Sequence, residues 1–406
     1  MVEQVPPGAR RWRPWAIAAA VVVLVVAVVL ATLVLSRRGR PTAHPSGAPY
    51  PSSGLSSGSP APGPSPSDPA AGLTPRQRAG QRVIYSYPGL TPPPSLLQHI
   101  RDGEAAGVIF FKENIASTAQ IAAVVQQLRQ AQQAGPVRRP LLLMTDQEGG
   151  QVRRLPGEPS LSAKQIGLSA DPRAQARAAG TGAAGTLGAV GMNVNLAPVL
   201  DVYYEPGNFI DQYGRSFSSN AATVSTLGSD FITAQQAAGT AATAKHFPGL
   251  GSAPLGADTD TQPVTLPVAL SGLRARDEVP YSAAIAAGVK LVMLSWAVYP
   301  AFDPVRPAGL SPTVVQSELR GRLHYRGVTI TDALEAGALK AFGTTGQRAV
   351  LSAQAGMDLI LCAARDVTQG EAAVAALAAA LTAGQLDPAA FQAAVDRVAG
   401  LRAGLR

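Results

Sequence analysis

Leu141-Leu-Leu-Met-Thr145-Asp146-Gln-Glu148-Gly-Gly150 carries a short apolar run straight into two carboxylates. A strand buried on both faces reads as such a run, and an abrupt polar end marks where it opens onto a site. The pattern recurs. Asn193–Val199 runs into Asp201, Ala241–Ala244 into Lys245-His246, and Val328–Thr331 into Asp332. Val83–Tyr87, Val108–Phe111, Leu291–Trp296 and Asp358–Cys362 complete the set of candidate strands, with the others bounded as Leu141–Asp146, Ala241–His246 and Gly327–Asp332. Helical patterns lie between them over Ile121–Gln133, Asp171–Val190, Ala221–Ala238, Ser311–Leu323 and Gln347–Ala355. Thr74 followed by Pro75 predicts a capped helix start at the head of this region. Strands alternating with helices predict parallel pairing through right-handed crossovers. Eight such units predict an α/β fold, a (β/α)8 TIM-like barrel with elaborated loops. A doubly wound sheet is the alternative.

The rest of the chain bounds the function. Its 406 residues carry a formal charge of +8. Residues 1–40 hold six Arg and one Glu, and the remainder holds 28 basic and 25 acidic residues. The basic excess is therefore N-terminal, and nucleic acid is not an expected partner. One cysteine, Cys362, excludes an intramolecular disulfide and a Cys-rich zinc site. The four histidines stand at no metal-ligand spacing, so no metal and no cofactor are expected. The folded region has no Gly-x-Ser-x-Gly elbow, phosphate-binding Gly loop or His-Glu-x-x-His.

Residues 16–35 form an apolar run of 20 whose one polar member is Thr32. A helix of that length spans about 30 Å, the thickness of a bilayer core. Following a short basic segment over residues 1–15, the run predicts a transmembrane signal anchor, with a cleaved signal peptide as the rival. Residues 36–72 predict a disordered Pro/Ser/Gly-rich linker, because Pro41–Pro69 contains nine Pro, eight Ser and one charged residue, Asp68. The barrel domain is expected over residues 73–406. The expected location is the cell membrane, single-pass, with the catalytic domain extracytoplasmic and monomeric.

In such barrels the site forms at the C-terminal ends of the strands. A ring of Asp146, Lys245, His246, Arg215 and Asp332 there suits a polyhydroxylated substrate and acid/base chemistry. Each residue has a plain structural alternative. Asp146, Glu148 and Asp332 can cap following helices, Lys245-His246 can be a structural ion pair, and Arg215 a solvated loop residue.

These residues support a resemblance. Asp146-Gln-Glu-Gly-Gly-Gln-Val-Arg-Arg154 resembles the D-x-E-G-G-x-V-x-R signature of glycoside hydrolase family 3. Asn195-Leu-Ala-Pro-Val-Leu-Asp201, Gly214-Arg-Ser-Phe217, Lys245-His-Phe-Pro-Gly249 and Thr329-Ile-Thr-Asp332 are similar to further motifs of that family, in the same order, over about Leu73–Leu401. The similarity is greatest to its single-barrel β-N-acetylglucosaminidases. The resemblance implies an exo-acting glycosidase that removes terminal β-linked N-acetylhexosamine (GlcNAc) from cell-wall or peptidoglycan-type fragments, and the apolar run over residues 16–35 makes the expected enzyme membrane-anchored. It implies retention through Asp332 as nucleophile. It also implies sugar binding by Asp146, Arg154, Arg215, Lys245 and His246. In the relatives an Asp-Ser-His triplet on the loop after Lys-His-Phe-Pro-Gly supplies the general acid. Here that loop, Leu250–Asp260, has no histidine, and its titratable groups are Asp258 and Asp260. Either of these is the acid, with Asp258 preferred as the one nearer the loop tip, or another residue is, or the protein is a degenerate barrel that binds glycan or a partner. A family member of other specificity, such as a β-glucosidase, is a further alternative.

Overall fold

The computed structural model describes residues 72–405. The expectations for residues 1–15, 16–35 and nearly all of 36–72 fall outside them. Helix Pro75–Gly80 opens the described chain, with Pro75 in its first turn and a reciprocal cap. Thr74 Oγ1 accepts from Gln77 N (3.2 Å), and Gln77 Oε1 accepts from Thr74 N (3.0 Å).

The strands are β1 (Val83–Tyr85), β2 (Gly107–Ile109), β3 (Leu142–Thr145), β4 (Gln147–Gly149), β5 (Val152–Arg153), β6 (Val194–Asn195), β7 (Ala241–Phe247), β8 (Leu291–Leu294), β9 (Val328–Thr331) and β10 (Ile360–Leu361). Eight of them form one parallel sheet in the order β10-β1-β2-β3-β6-β7-β8-β9. A parallel bridge between Ile330 and Leu359 brings its two outer strands together, giving a TIM-like barrel. At the seam Val83 is paired with Ile360 and Ile84 with Leu361. All eight strands overlap the stretches expected from the sequence, with β2 starting one residue earlier at Gly107 and β7 ending one residue later at Phe247. The expected helices are found over Thr118–Gln133, Pro172–Ala189, Ala221–Ala237, Thr313–Arg322 and Thr345–Ala355, the first and last starting three and two residues early and the fourth wound wider than an α-helix.

Both faces of each barrel strand are buried, which is why they read as unbroken apolar runs. Ile84, Met144, Val194, Leu291, Met293 and Ile330 belong to one buried cluster that fills the barrel. Their strand neighbours Val83, Tyr85, Leu143, Val292 and Leu294 belong to a second cluster, packed against the surrounding helices. This alternation is the period-two rule of strands.

Charge at the N-terminal ends of the strands is structural. Asp358 accepts from Arg320 Nη2 (2.6 Å), Arg397 Nη2 (2.8 Å) and Thr329 N (2.8 Å). Arg82 lies 4.2 Å over the Phe391 ring.

The segment after β3 differs from the helix-cap alternative. Asp146 and Glu148 enter a hairpin, in which β4 pairs antiparallel with β5. Gly149 (φ +113°) and Gly150 (φ +55°) supply the left-handed backbone of its turn. A Cβ on Gly149 would also stand 2.2 Å from the Leu161 carbonyl oxygen.

Candidate active site

A cavity of about 380 Å³ opens at the C-terminal ends of the barrel strands. Asp146, Arg154, Arg215, Lys245, His246, Asp258, Asp260 and Asp332 all border it. The structure thus brings together every site residue expected from the sequence.

One wall is an alternating charge network. Lys245, near the end of β7, is 2% exposed. Its Nζ lies 2.7 Å from Asp146 Oδ1 and 2.8 Å from Glu148 Oε1. Arg215 grips Glu148 with a fork, Nε to Oε2 at 2.9 Å and Nη2 to Oε1 at 2.8 Å. Arg154 Nη2 is 3.6 Å from Asp146 Oδ2. Burial by itself would raise the Glu148 carboxyl. The Arg215 and Lys245 charges outweigh burial and hold it well below the usual carboxylate range. Asp146 is likewise held down against its burial by Lys245 and Arg154. Lys245 is held up against its own burial by the two carboxylates. The network therefore presents fixed charges to the cavity, with donors and acceptors alternating along one wall.

His246 follows Lys245 on the same strand. Regular strand neighbours point to opposite faces, yet both border the cavity. The pairing of β7 with β8 shifts register between Ala244 and Phe247, which lets both side chains reach the mouth. Asp201, fully buried after β6, lies 2.8 Å from His246 Nδ1 through Oδ2.

The opposite wall carries Asp332 at the end of β9 and Asp260 on the loop that follows β7. Asp332 Oδ1 accepts from Ala333 N (2.8 Å), and Trp296 Nε1 donates to the Ala333 carbonyl (2.8 Å), which fixes the turn. Asp260 is exposed at the rim of the cavity. Desolvation by its surroundings, then the Asp332 and Asp258 charges, push its carboxyl up to about 7. Asp258 serves the loop itself, its Oδ1 accepting from Asp260 N (2.9 Å). Asp260 and Asp332 thus offer a proton carrier beside a carboxylate in one cavity.

The sequence did not assign Glu148, Asp201, Tyr213 or Arg365 to the site. Glu148 holds Arg215, and Tyr213 and Arg365 border the mouth. Arg365 has φ +58° and lies 4.0 Å over the Phe111 ring. Nothing in Ala363-Ala-Arg-Asp366 signals that placement. Glu148 was legible as the second carboxylate of the Asp146 motif. Among the described residues no group of three or more His, Cys, Asp or Glu is arranged to hold a metal ion.

Comparison with known proteins places this geometry. The profile described as "Glycosyl hydrolase family 3 N terminal domain" matches residues 91–401. An "Uncharacterized secreted glycosyl hydrolase" of Arthroderma benhamiae is 49% identical over 339 residues, covering 83% of this chain and 96% of that protein. A solved family 3 β-N-acetylglucosaminidase from Paenibacillus sp. is 35% identical with a TM-score of 0.77, over 82% of this chain and 63% of that one. A solved β-N-acetylhexosaminidase from Beutenbergia cavernae is 33% identical with a TM-score of 0.74, over 82% of this chain and 99% of that one.

The Arthroderma protein corrects one expectation. It is a secreted protein, which overturns the expected single-pass location in the cell membrane. The physical reason for the misreading is that an apolar run behind arginines has the same hydropathy in a secretory leader as in an anchor. Among the described residues no helix is long and apolar enough to cross a membrane, and residues 16–35 lie outside them.

Proposed function

The chain belongs to glycosyl hydrolase family 3 and is a glycosidase, and from that premise we propose a secreted, exo-acting β-N-acetylhexosaminidase. Its catalytic unit runs over residues 73–406, behind a linker over 36–72, and it acts by retention on GlcNAc-terminated fragments of cell-wall type. The observation that carries the reading is the joint presence of Asp332 and Asp260 in one cavity, across from the Asp146–Glu148–Lys245–Arg215 network.

Asp332 is the nucleophile. Its ionised carboxylate attacks the anomeric carbon, the glycosidic C–O bond breaks, and a glycosyl ester forms. Asp260 gives its proton to the departing oxygen. It then takes a proton from the water that opens the ester, restoring both carboxyls. Asp258 and Asp260 stand two residues apart, as do the first and third members of the relatives' Asp-Ser-His triplet. Because Asp258 is engaged with the loop backbone, Asp260 is the member left for chemistry. Asp146, Arg154, Arg215, Lys245 and His246 bind the hydroxyls and the acetamido group of the sugar. A substrate with a mismatched hydroxyl pattern leaves these buried groups unpaired and is rejected.

The test is hydrolysis of nitrophenyl β-N-acetylglucosaminide and β-glucoside by the full chain, with the anomer first released followed by proton NMR. Preferential cleavage of the former with release of β-GlcNAc is expected. First release of α-GlcNAc excludes retention. Binding of GlcNAc oligomers without cleavage makes the protein a glycan-binding barrel.

A further inference from the structure

The loop that bears Asp258 and Asp260 is fastened on both flanks by main chain. On one flank the Gly251 carbonyl accepts from Tyr204 N (2.8 Å) and Asn208 Nδ2 (2.7 Å), and the Ala253 carbonyl from Phe209 N (3.2 Å). On the other, the Asp260 carbonyl accepts from Gly337 N (2.7 Å) and the Thr259 carbonyl from Ala338 N (3.0 Å). Between the flanks the loop bonds to itself: Asp258 O accepts from Thr261 N (3.2 Å) and Gln262 N (3.1 Å), and Gly256 O from Gln262 Nε2 (2.9 Å).

Each flank also has a glycine with no room for a side chain. A Cβ on Gly251 would stand 1.9 Å from the Val202 carbonyl oxygen, and one on Gly337 would stand 2.1 Å from that of Thr261. Neither glycine has a positive φ, so close approach is what requires it. The obstruction is backbone against backbone, which no rotamer change relieves. Gly337 lies five residues beyond Asp332, on the turn that Asp332 begins.

We propose that Gly337, together with Gly251, is a positioning residue that fixes Asp260 against Asp332 before substrate arrives. The proton donor is then preorganised on a bridge between two rims of the barrel mouth, and turnover needs no closure of that loop. This inference rests on the reading of Asp260 as the acid.

The experiment uses full-length Gly337→Ala, with Asp260→Ala and Gly185→Ala alongside. Gly185 faces open space in the Pro172–Ala189 helix and has an ordinary backbone, so it controls for glycine replacement itself. Hydrolysis of the β-1,4-linked GlcNAc dimer needs a proton donor, whereas the nitrophenol burst does not. Gly337→Ala is expected to lower dimer hydrolysis about 100-fold with a severalfold change at most in the burst, and azide should restore turnover of the nitrophenyl substrate. Equal losses on both substrates, or no loss, overturn the proposal. Ala338→Pro removes one seam hydrogen bond and turns its ring Cδ toward the Thr259 carbonyl, so it loosens the seam by a second route. It should move the ratio of the two rates the same way, by severalfold, and decides the matter if Gly337→Ala fails to fold. An unchanged ratio in a folded Ala338→Pro overturns the proposal. If Asp260→Ala itself shows no split, it is the assignment of the acid that fails; if it does and the glycine variants do not, the positioning role fails.

Discussion

Asp201 holds His246 at two points: its Oδ2 lies 2.8 Å from Nδ1, and its Oδ1 accepts the His246 main-chain N–H at 3.3 Å. The same Oδ1 accepts from Leu250 N at 2.7 Å, so one buried carboxylate sets both the ring and the start of the loop that bears Asp260. With Nδ1 committed, Nε2 is the ring nitrogen left for a ligand in the cavity. Asp201→Asn keeps the shape and removes the charge. Its kcat/KM should fall by roughly 10- to 100-fold, the worth of one charge-assisted hydrogen bond. Steady-state kinetics with circular dichroism as a fold control check this, and an unchanged kcat/KM removes the role given to Asp201.

Asp332→Asn should abolish turnover, by several orders of magnitude, because an amide forms no glycosyl ester. Affinity for a non-hydrolysed GlcNAc analogue, followed by calorimetry, should survive. Near wild-type kcat in the variant would refute the nucleophile and the retaining route with it.

Asp260 gives a pH dependence with a defined sign. Its carboxyl is raised to about 7, so the donor form is lost and activity on the GlcNAc dimer should fall as pH rises through that value. Stability follows the same group. The unfolded chain releases this proton near the ordinary value of 3.8, while the folded chain keeps it to about 7. Folding therefore loses stability between those limits as pH rises. Asp260→Asn should erase the upper limb of the activity profile, and should raise the melting temperature at pH 8 while leaving it little changed at pH 4. A melting temperature equally shifted at both pH values contradicts the stated cause.

Glu148 is the counter-charge of two buried cations. Removing one member of such a network costs about 3–5 kcal/mol, since the partners stay buried without compensation. Glu148→Gln should lower the melting temperature and raise KM through a misplaced Arg215. Arg215→Lys should raise KM with a smaller stability loss, because an ammonium replaces the charge and not the fork. Thermal melts and Michaelis constants measure both effects. Equal KM values in wild type and both variants would place the network outside substrate binding.

The barrel was legible because its eight strands are doubly buried and four of them run into polar residues, as Leu142–Met144 before Asp146 and Ile330 before Asp332 show. What escaped has physical causes. The β4–β5 hairpin is polar and glycine-rich and has no apolar period. Glu148 is a carboxylate of ordinary type, and its role follows from Arg215, 67 positions away. Arg365 reaches the mouth through a left-handed backbone that no residue pattern encodes. The choice between Asp258 and Asp260 depends on which one bonds to its own loop, a local geometry invisible in Ala257-Asp-Thr-Asp260.

The pairing of Val83 with Ile360 joins positions 277 apart in the chain. During synthesis β1 must therefore wait, one edge bare, until nearly the whole chain has emerged. The other lip of that opening is β9, the strand that ends at Asp332. A chain cut short before residue 360 leaves both lips unpaired and the carboxylate without its settled place. Enzymatic turnover is expected only once β10 has joined both lips, so its onset in a refolding experiment should time the closing of the ring.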